Sequence, residues 1–276
     1  MNLEALVEAK ERIISNSESV LLGNFGQIEI TLYRTLLKYL VTADLSVKKI
    51  NETFSRLSGL IDEALNSSGY VSRINGYLTN FDQIYNNISA TQKSLNSIDI
   101  DLKEITKFQE YTMQSSVEKL LRSGINENFT KPLNEALYKH IVLGGSIGDA
   151  EIILKNYILS EGSNLSVLQR YVSQVSRDAL MQYDGAINSR IAQKFNMTAR
   201  RYVGSIIKDS RGQCMKWTEM GILTDQQVIQ EINWALQGGV YKGHKVSGMI
   251  EETTLATFNV YRGGYNCRHS AIPTLE

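Results

Sequence analysis

Proline is almost missing from this chain of 276 residues: Pro132 and Pro273 are the whole supply. Because proline removes a helix hydrogen bond and clashes with the turn before it, its scarcity leaves room for long unbroken helices. Cysteine is equally scarce, with two residues, which excludes a disulfide scaffold in a chain of this length. An excess of either charge is absent too, since 29 Lys and Arg balance 29 Asp and Glu. That balance argues against a protein that coats nucleic acid by bulk electrostatics. No run approaches the roughly 20 apolar residues that span a bilayer, so no membrane partner is expected. The opening MNLEALVEAKER is charged and lacks the apolar stretch of a secretory leader, so synthesis and folding in a cytoplasm are expected. What remains is a polar chain with enough apolar residues, 42 %, to build a core. Its length suits one large or two modest domains.

From Met1 to about Phe195 the pattern is helical. Val47, Ile50, Phe54, Leu57, Ile61 and Leu65 recur at spacings of three and four, which puts them on one helix face. Leu102, Ile105, Phe108, Val117, Leu120 and Leu121 follow a similar stripe, and Leu168, Val172, Val175, Ala179, Ile187, Ile191 and Phe195 a third. Breaks with turn chemistry fall at Asn66–Gly69, Ser123–Gly124, Gly144–Gly145 and Glu161–Ser163. Ser146 and Asp149 have capping-box spacing at the next helix start. The sequence between the breaks is rich in Asn, Ser and Gln and carries a thin apolar stripe. Such a stripe suits an elongated bundle or helices that bury a face against another chain.

Near Met197 the pattern changes. Ala199–Ser210 (ARRYVGSIIKDS) is rich in β-branched and aromatic residues around one glycine and reads as a strand or bent strand. A short helix carrying Cys214 and Trp217 follows. Thr224 and Gln227 then form a capping box, with Leu223 and Val228 as its hydrophobic staple. That helix runs to about Leu236 and ends at Gly238-Gly239, where a left-handed cap is natural. Next comes a loop, YKGHKVSGM, and a second extended segment at Thr257–Arg262. The expected fold is therefore mainly α: an elongated helical bundle over 1–164, a long connecting helix over 165–197 and a small α+β module over 198–276.

The chemistry-bearing residues cluster in the last part. Cys214 lies in KDSRGQC and Cys267 in GGYNCRH, each near an arginine, which suggests that the two segments meet in space. Cys214, His244, Cys267 and His269 make a Cys2His2 set, the right atoms for structural zinc, although no pair has the usual zinc-finger spacing. A Cys214–Cys267 disulfide and a pair of buried thiols behaving as small apolar residues are the alternatives; on the buried-thiol reading no cofactor is bound. Asp209, Arg211, Arg268 and His269 could form a phosphodiesterase-like cluster, with Asp209 and His269 as acid and base. Phosphodiester hydrolysis usually wants paired carboxylates on a metal, and one carboxylate is near. Read structurally, Asp209 caps a helix starting at Ser210 and the arginines tie the two segments together through carboxylates and carbonyls. Arg190, Lys194, Arg200, Arg201, Lys208 and Arg211 form the one local excess of basic charge and the candidate nucleic-acid contact.

With these residues in place, the chain resembles the phage head-morphogenesis family, the minor head proteins of the Mu type. The resemblance rests on Tyr202-Val203-Gly204, Asp209-Ser210-Arg211, Cys214, Trp234 and the run from Gly263 and Gly264 through Cys267 and Arg268 to His269. It covers about residues 165 to 276, and the chain has His269 where many members end in a second cysteine. The resemblance implies a non-enzymatic virion component of a tailed bacteriophage, made in the host cytoplasm and located in the head or at the portal vertex. Its implied partners are the portal and other capsid or neck proteins, with self-association through the helical body. The alternatives are a metal-dependent nucleic-acid-processing enzyme and a DNA-binding protein ejected with the genome.

Overall fold

The computed structural model of the chain describes residues 2–46, 48–100 and 103–275, and the side chains of all of these except 103–106. Its helices are α1 (Leu3–Leu22), α2 (Phe25–Thr42), α3 (Ile50–Ser67), α4 (Tyr70–Leu78), α5 (Asn80–Asn96), α6 (Lys103–Leu121), the single turn α7 (Ser123–Ile125), α8 (Lys131–Val142), α9 (Ile147–Ile158) and α10 (Val167–Lys194). A π-helical turn, Asn126–Thr130, joins α7 to α8. The C-terminal part adds α11 (Gly212–Met220), α12 (Asp225–Leu236) and α13 (Phe258–Tyr261). Its strands are β1 (Ala199–Val203), β2 (Ile222–Thr224), β3 (Val240–Tyr241), β4 (His244–Lys245) and β5 (Ser270–Thr274). The chain is thus mainly α with a small C-terminal α+β module.

Local chemistry accounts for most of these elements. On α3, Ile50, Phe54, Leu57, Ile61 and Leu65 are all buried, as a single apolar face requires. On α6 the stripe is thinner: Leu120 is buried, while Phe108 remains 38 % exposed. Val47 and Leu102 lie outside the described residues, as does the Ile105 side chain. Ser146 Oγ accepts the Asp149 N–H at 3.1 Å and opens α9. Thr224 and Gln227 close their capping box at α12, and the staple residues Leu223 and Val228 are fully buried. Gly238, at φ +78°, supplies the left-handed cap beyond α12.

Two expectations are corrected. Thr257–Arg262 is not a strand; Phe258–Tyr261 forms the short helix α13. The hydroxyls of Thr254 and Thr257 bond to nearby backbone groups, and this local competition favours a helical turn over a ladder. The segment YKGHKVSGM is not a plain loop, because it carries the β3–β4 hairpin. Lys242 and Gly243, both at positive φ, form its two-residue turn. The second long strand is instead β5, Ser270–Thr274, whose proline hides it from a propensity reading.

The sheet order is β2-β1-β5, with both pairings antiparallel. Arg200 lies opposite Pro273 and Tyr202 opposite Ala271. Since proline has no N–H to exchange, the Arg200–Pro273 pair must be of the non-hydrogen-bonded kind, and so must Tyr202–Ala271 two residues on. Consistently, the Tyr202 N–H points the other way and donates to Gly221 O at 2.7 Å. The Pro273 nitrogen therefore faces the outer edge of the sheet, where proline is tolerated. Asn96 of α5 covers that edge: its amide donates to Pro273 O at 2.9 Å and accepts the Leu275 N–H at 3.0 Å.

The chain divides into two compact units that cut across the linear division at 164 and 197. One comprises residues 17–78 and 114–176; the other comprises 1–16, 79–113 and 177–276. In the first, α2, α3, α8 and α9 pack together, and Tyr70 and Tyr77 donate from buried hydroxyls to Leu120 O and Ser176 O, both at 2.7 Å. The second holds the sheet and a core of Tyr202, Trp217, Leu223, Val228, Ile232, Ala235, Phe258 and Ala271. The Trp217 ring meets those of Phe258 and Tyr202 at 5.2 and 5.4 Å.

A buried polar chain fixes β5 to the helices of this second unit. Lys10 of α1 pairs with Asp184 of α10 at 3.1 Å, both nearly inaccessible, and Ser270 bonds to each of them. Asn188 donates to the other Asp184 oxygen at 3.3 Å, and Gln92 donates to Asn188 at 3.2 Å. Gln92 in turn accepts from Asn96 at 2.7 Å. Removing one member of a buried pair strands the other charge. Asp184→Ala is therefore expected to cost about 3–5 kcal/mol in urea denaturation. Tryptophan fluorescence reports this unit, because Trp217 and Trp234 both lie in it. A cost under about 1 kcal/mol would be that of a solvated pair and would contradict the burial.

Candidate functional site

The second unit brings the two cysteine segments together. Cys214 sits in the first turn of α11 and Cys267 in the turn before β5; both are free, buried thiols with their sulfurs 3.8 Å apart. His269 Nδ1 lies 3.8 Å from Cys267 Sγ. The Tyr202 hydroxyl on β1 lies 3.7 Å from Cys214 Sγ and 3.5 Å from Cys267 Sγ. The Tyr202 and His269 rings stack, 5.3 Å between centroids and 16° between planes. His269 is itself buried, and its Nε2 has no hydrogen-bond partner among the described residues.

Backbone geometry explains the convergence. The β1–β5 register ends with Val203 opposite Ser270, so the next residues outward, Gly204 and His269, face each other. A Cβ on Gly204 would lie 2.7 Å from the His269 ring, so glycine is what lets the imidazole fold back over the sheet. Gly263 does the same for the sulfurs: a Cβ there would meet Cys214 Sγ at 2.5 Å and Cys267 Sγ at 2.9 Å. Arg211 then locks the two segments. Its guanidinium donates to Ser247 O at 3.2 Å, Gly263 O at 2.6 Å and Tyr265 O. Gln213 adds bonds to Ser247 O at 2.8 Å and Gly263 O at 3.0 Å.

Electrostatics divides the two thiols. The hydrogen bond shared with Cys267, followed by burial, pushes the Cys214 thiol above its usual range. The same bond, aided by His269 and the positive charge of Arg262, holds Cys267 below its own. One negative charge can thus sit on Cys267 with Cys214 as its donor. Burial also raises the Tyr202 hydroxyl and, despite the bond from the Asn266 N–H at 3.1 Å, the nearby Asp178 carboxyl. Cys214, Cys267 and His269 are the group able to hold a metal ion among the described residues, their ligand atoms all within 4.8 Å of one another.

Other residues singled out from the sequence fall elsewhere. His244 is exposed on β4 and does not join the three. Asp209 is also exposed and caps no helix: α11 starts at Gly212, after Arg211, without a side-chain cap. Ser210 takes the local role instead, accepting the Ile207 N–H at 2.9 Å. Asp209 is not bonded to the buried His269, so the acid–base pair is not assembled. Arg268 is exposed and does not tie the segments; Arg211 does so, through carbonyls rather than carboxylates. Trp234 is partly buried, with Lys216 Nζ 4.1 Å from its ring centre. Gly264 sits at φ +94° in the turn leading to Cys267. Of the basic stretch, Arg200 is buried between Asn259 and Asp225 and Arg211 is occupied, so the six residues do not form one exposed face. Arg190, Lys194 and Lys208 are exposed, and Arg201 is half-buried. The residues that sequence reasoning missed, Lys10, Asn96, Asp184 and Arg262, are isolated polar positions in helical or loop sequence, with no local pattern to mark them.

No protein-family model matches this chain, and neither a curated protein sequence nor a solved structure is detectably similar to it.

The close contact at Gly263 gives a direct check. Gly263→Ala is expected to destabilise this unit by about 1–3 kcal/mol through overpacking against the sulfurs, read by tryptophan fluorescence in urea. An unchanged midpoint would mean that the thiols do not lie against this backbone.

Proposed function

We propose that the chain is a structural component of a tailed bacteriophage particle, a minor head protein without enzymatic activity. On this reading it is made in the host cytoplasm and carried in the head or at the portal vertex. The helical parts provide contacts to the portal, to other capsid or neck proteins and to further copies of the chain. The observation that supports it is how the motif residues are used. Arg211, Gln213, Cys214, Gly263 and Cys267, drawn from the two stretches that carry the family resemblance, are consumed in closing one small module on itself. A module closed by its own signature suits a docking unit better than a catalytic cleft, where polar groups converge on a concave, accessible site.

The reading is tested on purified, nuclease-treated particles from a phage that encodes this chain. Peptides of the chain are expected in the particle digest at low copy relative to the major capsid protein. Their absence from particles, with the chain found free in the lysate, would overturn it.

A further inference from the structure

The buried group of two thiols, an imidazole and a phenol has the dimensions of a metal site. Zinc binds thiolate sulfur at about 2.3 Å, so two sulfurs on one tetrahedral ion lie about 3.8 Å apart. The Cys214 and Cys267 sulfurs are 3.8 Å apart, and His269 Nδ1 is 3.8 Å from the nearer of them. The Tyr202 hydroxyl lies beside both sulfurs, at 3.7 and 3.5 Å. Three further observations favour an ion over a plain packing of thiols. His269 is buried, and its Nδ1 faces only a sulfur. The side of the sulfurs toward Gly263 is kept free of a Cβ. Finally, β1, α11 and the β5 turn each fix a donor through the sheet register, the helix and the Arg211 bonds, so the set is preorganised.

We propose that Cys214, Cys267 and His269 bind one divalent cation of the zinc class, with the fourth position facing Tyr202. Binding is a proton-for-metal exchange. The ion enters as the dication, the cysteine S–H protons leave to solvent, two metal–sulfur bonds and one metal–nitrogen bond form, and no electron moves. Two thiolates neutralise the ion, which is what a site this deeply buried demands. The ligands join α11 to the segment that leads into β5, so the role of the site is structural, and His244 has no part in it.

The test uses the full chain, purified under reducing conditions, loaded with excess zinc and desalted. Metal content by mass spectrometry is expected to be near one zinc per chain, and His244→Ala is expected to keep it. Cys214→Ser and Cys267→Ser are expected to fall below about a tenth of an equivalent. Because those variants can fail to fold, the wild-type chain is also loaded with cobalt(II). A thiolate-to-cobalt charge-transfer band with tetrahedral ligand-field bands is expected. A folded wild-type chain that takes up less than about a tenth of an equivalent, or that lacks the cobalt bands, overturns the proposal. So does undiminished zinc in folded Cys267→Ser. Recovery of the reduced preparation as a Cys214–Cys267 disulfide would overturn it as well.

Discussion

Antiparallel pairing of β1 with β5 is the constraint from which the candidate site follows. It joins Ala199–Val203 to Ser270–Thr274, segments far apart in the chain, in a register that puts Tyr202 opposite Ala271 and Val203 opposite Ser270. Once that register is set, His269 must lie against Gly204, and Cys267 must reach back toward α11. A slip of one residue would turn every side chain of β5 to the other face. Ser270 would leave the Lys10–Asp184 pair, and His269 would lose its seat beside Tyr202. Pro273 and Asn96 guard against that slip from opposite sides. The proline admits only one class of pairing with Arg200, and the asparagine amide engages Pro273 O and Leu275 N as a neighbouring strand would.

The short sheet has a polar side as well as an apolar one. All five residues of β5 are buried, one face against the aromatic core and the other against a hydrogen-bonded series running from Lys10 through Asp184, Asn188 and Gln92 to Asn96. Such a series is useful only when every member is satisfied. Here it binds three helices to one strand by directional bonds, while the aromatic side is held by edge-to-face rings. The thiol site lies at the end of the β1–β5 pairing, so its geometry inherits the rigidity of both layers.

Much of the fold was legible because the relevant signals are local. The α3 stripe, the Ser146 cap, the Thr224–Gln227 box with its staple and the Gly238 cap all act within a few residues, and each element stands where those residues put it. Nonlocal features were the ones that escaped. SAIPT carries a proline and little β-propensity, and it is a strand because β1 and Asn96 make it one. TFNVYR has strand composition, yet the Thr254 and Thr257 hydroxyls bond locally and curl it into α13. The meeting of the two cysteine segments was readable from their shared company of arginines. Which arginine does the work was not: Arg211 reaches four carbonyls that only the folded chain presents, while Arg268 faces solvent. The mixed fate of the basic stretch has the same cause, since a sequence shows that Arg200 is cationic but not that Asp225 and Asn259 enclose it.

The central claim is therefore the β1–β5 register, because the thiol site, the buried ion pair and the closing role of the motif residues all depend on it. Nuclear Overhauser contacts in the isotopically labelled chain test it directly. The account requires strong Hα–Hα contacts between Tyr202 and Ala271 and between Arg200 and Pro273, the non-hydrogen-bonded pairs in which Cα atoms approach to about 4.5 Å. Contacts displaced by one residue, such as Tyr202 with Ile272, or no contacts between these segments at all, would contradict it.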